Sequence, residues 1–453
     1  MCHKFAYRLF AVASTPSTMF ESTTNSDLEI ARTHVRHGAL AEAEQFYRRV
    51  ANKQPEQVEA LRFLANAALS RGEVSEAVTL LSHAVQVDRS NTWVLLELGV
   101  AYRSAQRMDE ARSVFEAALE SSHGTNTTAR LLLANVYELD GRPEMALLQY
   151  FRAIIDAQTH GLWQNDSTTE PGLRQLVKHA MQYVDAGRHK LFDDALQPFR
   201  HGINVARLGR VDTALAVYLN ERLATPADPH QRPTFLYVPD LGVTRFLDTS
   251  AFDWLCDWAA RVVATCRVGT LDRCIGSTAQ EDTTPALFSL TALTTTRIAD
   301  ASGEHQRSVP LYQRGIPQES IQSWPLGLRN LVDEAPLVRI PNYAPDVVVL
   351  DMPSGTTTSI RVGRTNAFCM IVVAFEGSAP LRVSVGGEAK QLHAGNALAF
   401  DPSFGFNYAA SDGPARALVV EVWNPGISSL ERDALTALTT SVVDFDSRLQ
   451  DLA

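Results

Sequence analysis

Several features that define other classes of protein are missing from this sequence. It has only five cysteines, with no Cys-x-x-Cys pair and no spacing typical of a zinc site. An odd number of thiols without metal spacing indicates a reducing compartment, so we predict a cytoplasmic protein. No apolar run approaches the roughly 20 residues needed to span a bilayer, and no block of Lys or Arg residues is present. With a net charge of -10, we predict neither nucleic acid nor a membrane as a partner.

The composition is that of an ordinary globular protein, with 45% hydrophobic and 20% charged residues. A chain of 453 residues can form two or three domains with sizeable cores. Residues 1–26 combine a basic start, an apolar patch interrupted by Arg8 and a Ser/Thr-rich end. This segment predicts a disordered leader rather than a signal peptide, with Met1 and Met19 as alternative start codons.

Small and large side chains recur with a period near 34 in residues 27–156. Alanines mark this period at separations of 34, 34 and 35 residues, at Ala43, Ala77, Ala111 and Ala146. Large side chains follow the same spacing at Tyr47, Leu81, Phe115 and Tyr150. The pattern resembles the tetratricopeptide repeat, in which a small residue lets two helices touch and an aromatic ring fills the space between units. We therefore predict four such repeats, with a groove that binds a protein or peptide.

Weaker signals follow the repeats. Residues 157–194 predict an irregular helical insertion, and residues 195–228 predict a fifth repeat-like unit from the spacing of Gly202, Gly209, Ala214 and Tyr218. Residues 229–233 form a Pro-rich hinge, which marks the boundary with a β domain at 234–432. Residues 433–453 predict a C-terminal helix or tail.

The β domain contains short β-rich runs separated by Gly, Pro, Ser, Asn and Asp. They are Val347–Leu350, Cys369–Phe375, Leu381–Val385, Ala397–Phe400 and Ala417–Trp423. Five such runs with no helical period between them predict an antiparallel sandwich or jelly roll. Upstream, we predict an amphipathic helix at Phe252–Val263 and one strand at 286–292.

The order of residues in this domain resembles the aspartyl/asparaginyl β-hydroxylase family. The resemblance covers about 200 residues from Thr234 to Arg432, and its motifs include Phe235–Leu241, Ser354–Thr356, Gly363–Asn366, Phe400-Asp401, Ser403-Phe404, Arg416 and Trp423–Pro425. Members of this family have a double-stranded β-helix and use Fe(II) and 2-oxoglutarate. The expected fold class is therefore multidomain α plus β, in which an N-terminal α-α superhelix of repeats precedes a cupin-like jelly roll.

The resemblance also implies where iron should bind, and those positions are changed. The two histidines of the family correspond to Arg361 and Phe406, whose side chains have no lone pair to donate to a metal. Two further family residues are replaced by Met370 and Val372, whereas Arg416 is retained. The resemblance thus implies a catalytically degenerate domain without a cofactor, in a protein-binding scaffold or regulator.

Alternatives stay open for the same residues. Arg361, Arg364 and Arg416 are candidates for binding a small dicarboxylate, because guanidinium groups match carboxylates in geometry. Alternatively, these arginines pair with Asp401, Glu421 or Glu376 and only stabilise the fold. The competing function is an active Fe(II)- and 2-oxoglutarate-dependent hydroxylase of Asp, Asn or Pro residues in peptides, with metal ligands relocated to His393, Asp401 and Glu421.

Overall fold

The computed structural model describes residues 24–202, 204–266, 307–318 and 324–452. The chain divides into two compact units, the first of residues 1–188 and 447–453 and the second of residues 189–446. Most of the predicted leader and the strand predicted at 286–292 lie outside the described residues.

In residues 24–159 eight helices follow one another, and we call them α1 to α8. They are Thr24–Arg36, Leu40–Lys53, Val58–Arg71, Val74–Val87, Thr92–Ser104, Met108–Ser121, Thr127–Leu139 and Pro143–Thr159. Local chemistry sets several of their ends. Asn91 and Asn126 each accept a hydrogen bond from the backbone N–H three residues later, at 3.3 and 2.8 Å, and so begin α5 and α7. Gly72 ends α3 in the left-handed conformation that glycine adopts easily.

The periodic residues of the sequence form the contacts within and between the helical pairs. Ala43, Ala77, Ala111 and Ala146 are fully buried. In the third pair, a Cβ atom at Gly99 would lie 2.4 Å from the ring of Phe115. Only a glycine permits this approach, so the ring of α6 packs directly on the backbone of α5.

Three more helices follow, which we call α9 to α11: Arg174–Leu196, Asn204–Arg207 and Gly209–Tyr218. The predicted irregular insertion, 157–194, thus contains most of a 23-residue helix. In the predicted fifth repeat-like unit, 195–228, the structure describes the end of that helix, a 3₁₀ helix at Gln197–Phe199 and the two short helices α10 and α11. The predicted hinge lies inside the second unit, where the backbone N–H of Arg232 donates to the carbonyl of Ser403 at 2.9 Å.

The described part of the second unit also contains strands β1 to β11 and helices α12 to α14. The strands are Phe246–Leu247, Arg307–Gln313, Ile316–Pro317, Val347–Met352, Thr356–Thr357, Phe368–Gly377, Leu381–Val385, Glu388–Leu392, Ala397–Phe400, Phe406–Ala410 and Ala415–Trp423. The helices are Leu255–Thr265, Leu326–Glu334 and Ser429–Gln450. All five β-runs predicted from the sequence lie in these strands.

The strands form two antiparallel sheets. One has the order β1-β9-β6-β11-β4-β2-β3 and the other has the order β5-β10-β7-β8. Alternate residues of β4, β6 and β11 pack against the inward residues of β7 and β10, and we call this cluster the inter-sheet core. The opposite face of the larger sheet is covered by α12 and α13, where the indole of Trp258 donates to the carbonyl of Leu331 at 2.8 Å.

The helix predicted at Phe252–Val263 begins three residues later than expected. Asp248 instead caps a short 3₁₀ turn at Thr249–Ala251 by accepting a hydrogen bond from the N–H of Ser250. The helix α14 begins after Ser428, whose backbone N–H and hydroxyl both donate to Glu431 at 2.9 and 2.8 Å. The N–H of Glu431 donates back to the hydroxyl of Ser428, which completes a capping box.

Candidate functional site

The first helices of the four pairs, α1, α3, α5 and α7, carry polar side chains that contact the next first helix. Arg32 of α1 donates to Glu59 of α3 at 2.9 and 2.6 Å. Arg103 of α5 donates to Asn135 of α7 at 2.7 Å. These contacts put the side chains on one shared surface of the array, which we call the inner face.

Glu97 is the most buried acidic residue of the inner face, with 6% of its surface exposed. Arg62 of α3 donates two hydrogen bonds to its two carboxylate oxygens, at 2.7 and 2.8 Å. The amide of Asn66 donates a third, at 3.1 Å. The carboxylate is therefore held by a fork of donors in the geometry that guanidinium groups use for carboxylates.

A second polar group lies where α7 meets α9. Glu138 accepts hydrogen bonds from the hydroxyl of Tyr150 at 2.8 Å and contacts Nε2 of His179 at 2.8 and 2.9 Å. Burial and the nearby carboxylate raise the pKa of Tyr150 above its ordinary value. The phenol therefore stays neutral and acts as a donor at this end of the inner face.

Trp93 is the largest strongly exposed apolar side chain of the array, with 55% of its surface exposed. It stands one helical turn before Glu97 on α5, so the two side chains share a face of that helix. It also has the same place in the third pair that Glu59 has in the second, 34 residues earlier. Exposed tryptophans at such positions are typical of binding surfaces.

In the second unit, the structure brings Arg361 and Phe406 together. The N–H of each donates to the carbonyl of the other, at 2.9 and 2.8 Å, in an antiparallel bridge. Residues opposite each other in such a bridge extend their side chains to the same side. Arg361 is exposed, whereas Phe406 is buried in the inter-sheet core.

Aromatic rings fill the core beside this pair. Phe406 packs against Phe400 with ring centroids 5.1 Å apart and against Tyr408 at 5.9 Å. The hydroxyl of Tyr408 is buried and has no hydrogen-bond partner among the described residues. Burial raises the pKa of Tyr408, and the positive charge of Arg361 acts in the opposite direction. A polar donor therefore lies near Arg361 inside an otherwise apolar core.

Arg364 does not join Arg361 but belongs to a buried ion cluster. Its guanidinium donates to Glu421 at 2.8 Å and to Asp346 at 3.1 Å, and it lies over the ring of Tyr343 at 4.4 Å. Burial raises the pKa of Glu421, while the charge of Arg364 lowers it. Both carboxylates contact one terminal nitrogen of this guanidinium, and the other terminal nitrogen donates to the carbonyl of Tyr343.

Arg416 is separated from Arg361 by the alternation of strand β11. Its neighbours Ala415 and Ala417 face the inter-sheet core, so Arg416 extends from the opposite face of the sheet. There it donates to Asp351 at 2.9 Å and to Glu376 at 3.1 Å. The three arginine candidates therefore have three different environments.

The predicted relocated metal ligands, His393, Asp401 and Glu421, also have different environments. His393 is exposed in a turn. Asp401 is buried, accepts hydrogen bonds from Ser403 at 2.6 and 2.8 Å and from Gln231 at 2.9 Å, and burial raises its pKa to about 6. No group of three His, Cys, Asp or Glu side chains that could hold a metal ion occurs in the described residues. Arg361 and Phe406 do not fit an iron ion, because neither side chain has a donor atom.

The family models of the tetratricopeptide repeat match residues 34–91 and 96–161. The predicted repeats are therefore confirmed, and repeats of this class suggest a protein-binding scaffold. A search of curated proteins gives no match to this chain. None of the helices in the described segments combines the length and apolar character needed to cross a bilayer.

Solved repeat structures are similar to part of this chain. A structure of MamA is 18% identical, covering 31% of this chain and 81% of that chain, with a TM-score of 0.29. A second, named MamA MSR-1 C2, is 22% identical over 31% of this chain and 82% of that chain, with a TM-score of 0.28. The first tetratricopeptide domain of Spaghetti (RPAP3), bound to the HSP90 peptide SRMEEVD, is 20% identical over 27% of this chain and 97% of that chain, with a TM-score of 0.25.

The sequence reasoning missed the inner-face residues Arg62, Asn66, Trp93 and Glu97. A signal was present, since Glu97 interrupts the otherwise apolar run Val94–Leu98. A charged residue in the centre of a buried run requires partners, and the repeat period points to the preceding helix as their source. Tyr408 was missed because its burial depends on the pairing of β10 with β7, which no local pattern reveals.

Proposed function

We propose that the protein is a scaffold that binds a peptide segment of a partner protein on the inner face of its repeats. The observation that supports this most strongly is the chain of polar contacts from Arg32 to Asn135, with the exposed Trp93 beside it. Such a face combines a large aromatic anchor with ordered donors and acceptors, which peptide-binding surfaces require.

The proposal is tested by affinity capture with quantitative mass spectrometry. A Trp93→Ala/Arg103→Glu variant changes the inner face, whereas Glu110→Gln changes a surface charge paired with Arg107 on α6. We expect at least one captured protein to fall about tenfold in the first variant and to be unchanged in the control. Equal recovery of every captured protein from wild type and both variants would contradict the proposal.

For the second unit we propose a double-stranded β-helix of the aspartyl/asparaginyl β-hydroxylase type that has lost its metal site. The strand orders β4-β11-β6-β9 and β5-β10-β7-β8 support this, since each sheet draws its strands alternately from the two halves of the segment 347–423. The backbone pairing of Arg361 with Phe406 supports it as well, because the two family histidines would have to face one metal ion.

The competing activity, 2-oxoglutarate-dependent hydroxylation at relocated ligands, is separated by two measurements. We expect purified protein to contain no stoichiometric iron and to show no 2-oxoglutarate turnover when Fe(II) is added. We expect the same of Arg361→His/Phe406→His, because Met370 and Val372 also replace residues of the family motif. Stoichiometric iron with turnover in the wild type would reverse the assignment.

A retained carboxylate site is a second candidate for this unit. The buried hydroxyl of Tyr408, which has no hydrogen-bond partner within the described segments, lies near Arg361 and favours it. Calorimetric titration with 2-oxoglutarate in metal-free buffer tests the site. We expect binding heat that is lost in Arg361→Ala and kept in Arg416→Ala, whose guanidinium already binds Asp351 and Glu376. Absence of heat in the wild type would remove this candidate.

A further inference from the structure

On the inner face, the carboxylate of Glu97 occupies a position where the carboxylate of a bound peptide could otherwise lie. Arg62 and Asn66 direct three donors to the carboxylate of Glu97, at 2.7, 2.8 and 3.1 Å. The same donors would bind the carboxylate of a peptide if Glu97 were absent. Because Glu97 is part of the chain, its local concentration exceeds that of any free ligand.

Arg32 is engaged in a similar way. Its guanidinium donates to Glu59 and to Glu29, at 2.6 Å each in its shortest contacts. Arg32 and Arg62 are thus both paired with acids of the chain itself. An acidic peptide bound here would lie close to Glu29, Glu59 and Glu97 and would be repelled by their charge. Arg32 and Arg62 would not offset this repulsion, because they stay paired with these acids.

The net charge of the four repeats also favours a basic partner over an acidic one. Residues 27–156 contain 18 Asp and Glu residues and 14 Lys and Arg residues, which gives 14 − 18 = −4. Beside the neutralised arginines stands Trp93, a ring whose face attracts a cation and which is 55% exposed. A guanidinium or ammonium group from a partner would therefore find both a π face and nearby carboxylates.

We propose that Glu97 determines the specificity of the inner face, which binds a basic peptide segment with a cationic side chain over Trp93 and rejects peptides with acidic ends. This inference rests on the proposed function as a peptide-binding scaffold. It adds the partner's chemistry and the residue that selects it.

The test uses full-length protein and a display library of short random peptides with free C-termini. We expect wild-type protein to enrich peptides that contain Arg or Lys. In anisotropy titrations with synthetic copies of the enriched peptides, Trp93→Ala should weaken binding by about tenfold. Glu97→Gln keeps the shape of residue 97 but releases Arg62, so the ratio of basic to acidic peptide affinity should fall by about tenfold. The acidic probe is SRMEEVD, and Glu110→Gln is the matched control, which should leave the ratio unchanged.

Two failures are distinguishable. If the wild type enriches no peptide, the proposed function itself fails. If the wild type enriches acidic peptides, or if Glu97→Gln leaves the affinity ratio within about twofold, only the specificity inference fails. Should Glu97→Gln not fold, Glu97→Ser also removes the carboxylate and releases Arg62, with a smaller polar side chain. That variant should lose the discrimination against SRMEEVD, and retained discrimination would overturn the role of Glu97.

Discussion

Two ion pairs, one in each unit, differ in how far they are exposed to water. In the repeats, Arg32 and Glu59 join neighbouring helices and keep 43% and 33% of their side chains exposed. In the sheet unit, Arg364 and Glu421 are 57 residues apart in the chain and keep only 17% and 6% exposed. A charge near water keeps most of its hydration when its partner is removed, whereas a buried charge does not. The consequence of removing one charge should therefore differ sharply between these two ion pairs.

The largest effect should come from Arg364→Met. Glu421 then stays buried without its guanidinium, and the contact of Arg364 with the ring of Tyr343 is lost. We expect the free energy of unfolding to fall by about 4 kcal/mol, measured by urea denaturation of the full chain.

A double variant distinguishes two causes of this loss of stability, the unpaired buried charge and the lost packing. In Arg364→Met/Glu421→Leu the unpaired carboxylate is gone, so most of the loss should be recovered. A double variant as unstable as the single one would show that Arg364 stabilises the unit mainly by packing.

A packing change in the repeats should rank next. Leucine at Gly99 would clash with Phe115, since even a Cβ atom would lie 2.4 Å from that ring. We expect a loss of about 3 kcal/mol in urea denaturation followed by far-UV circular dichroism. Gly172→Leu is the control, because no atom beyond its two chain neighbours lies within 4 Å of its Cβ position, and it should change stability by less than about 0.5 kcal/mol. Equal losses at both positions would contradict close packing as the cause.

The same contrast explains how much could be predicted from sequence. Gly99 and Phe115 are 16 residues apart in one helical pair, and the repeat period allows their contact to be predicted from sequence. The five β-runs were also readable, because alternation and turn residues are local properties. The three environments of Arg361, Arg364 and Arg416 were not, since they depend on strand register. One residue of register moves a side chain to the other face of a sheet, as the alternation of Ala415, Arg416 and Ala417 illustrates.

In the sheet unit, the pKa of Asp401 predicts how stability changes with pH. Burial raises its pKa from 3.8 to about 6, so the folded state holds the proton more tightly than the unfolded state. The stability from this group is therefore full below about pH 4 and is lost as the pH rises through 6. We expect this loss to be about 3 kcal/mol and to disappear in Asp401→Asn, measured by urea denaturation across that range.

Asp228 provides a control of opposite sign. Hydrogen bonds from His230 and the charge of Arg245 lower the pKa of Asp228, so its contribution to stability is lost as the pH falls. Asp228→Asn should therefore flatten a rise in stability with pH. If Asp401→Asn left the pH dependence unchanged, its carboxyl would have to titrate normally in the folded protein.

The smallest effect should come from Arg32→Met on the inner face. Glu59 loses its partner there, but it keeps contact with water and accepts a hydrogen bond from Tyr47 at 2.9 Å. We expect the free energy of unfolding to fall by about 0.5 kcal/mol. The decrease should be smaller in about 0.5 M salt, because dissolved ions screen exposed ion pairs. Arg364→Met should show little salt dependence, since its pair is shielded from ions. A loss above about 2 kcal/mol for Arg32→Met would mean that the polar contacts between repeats hold the array together as the buried cluster holds the sheets. The inner face would then act first as a structural element of the array.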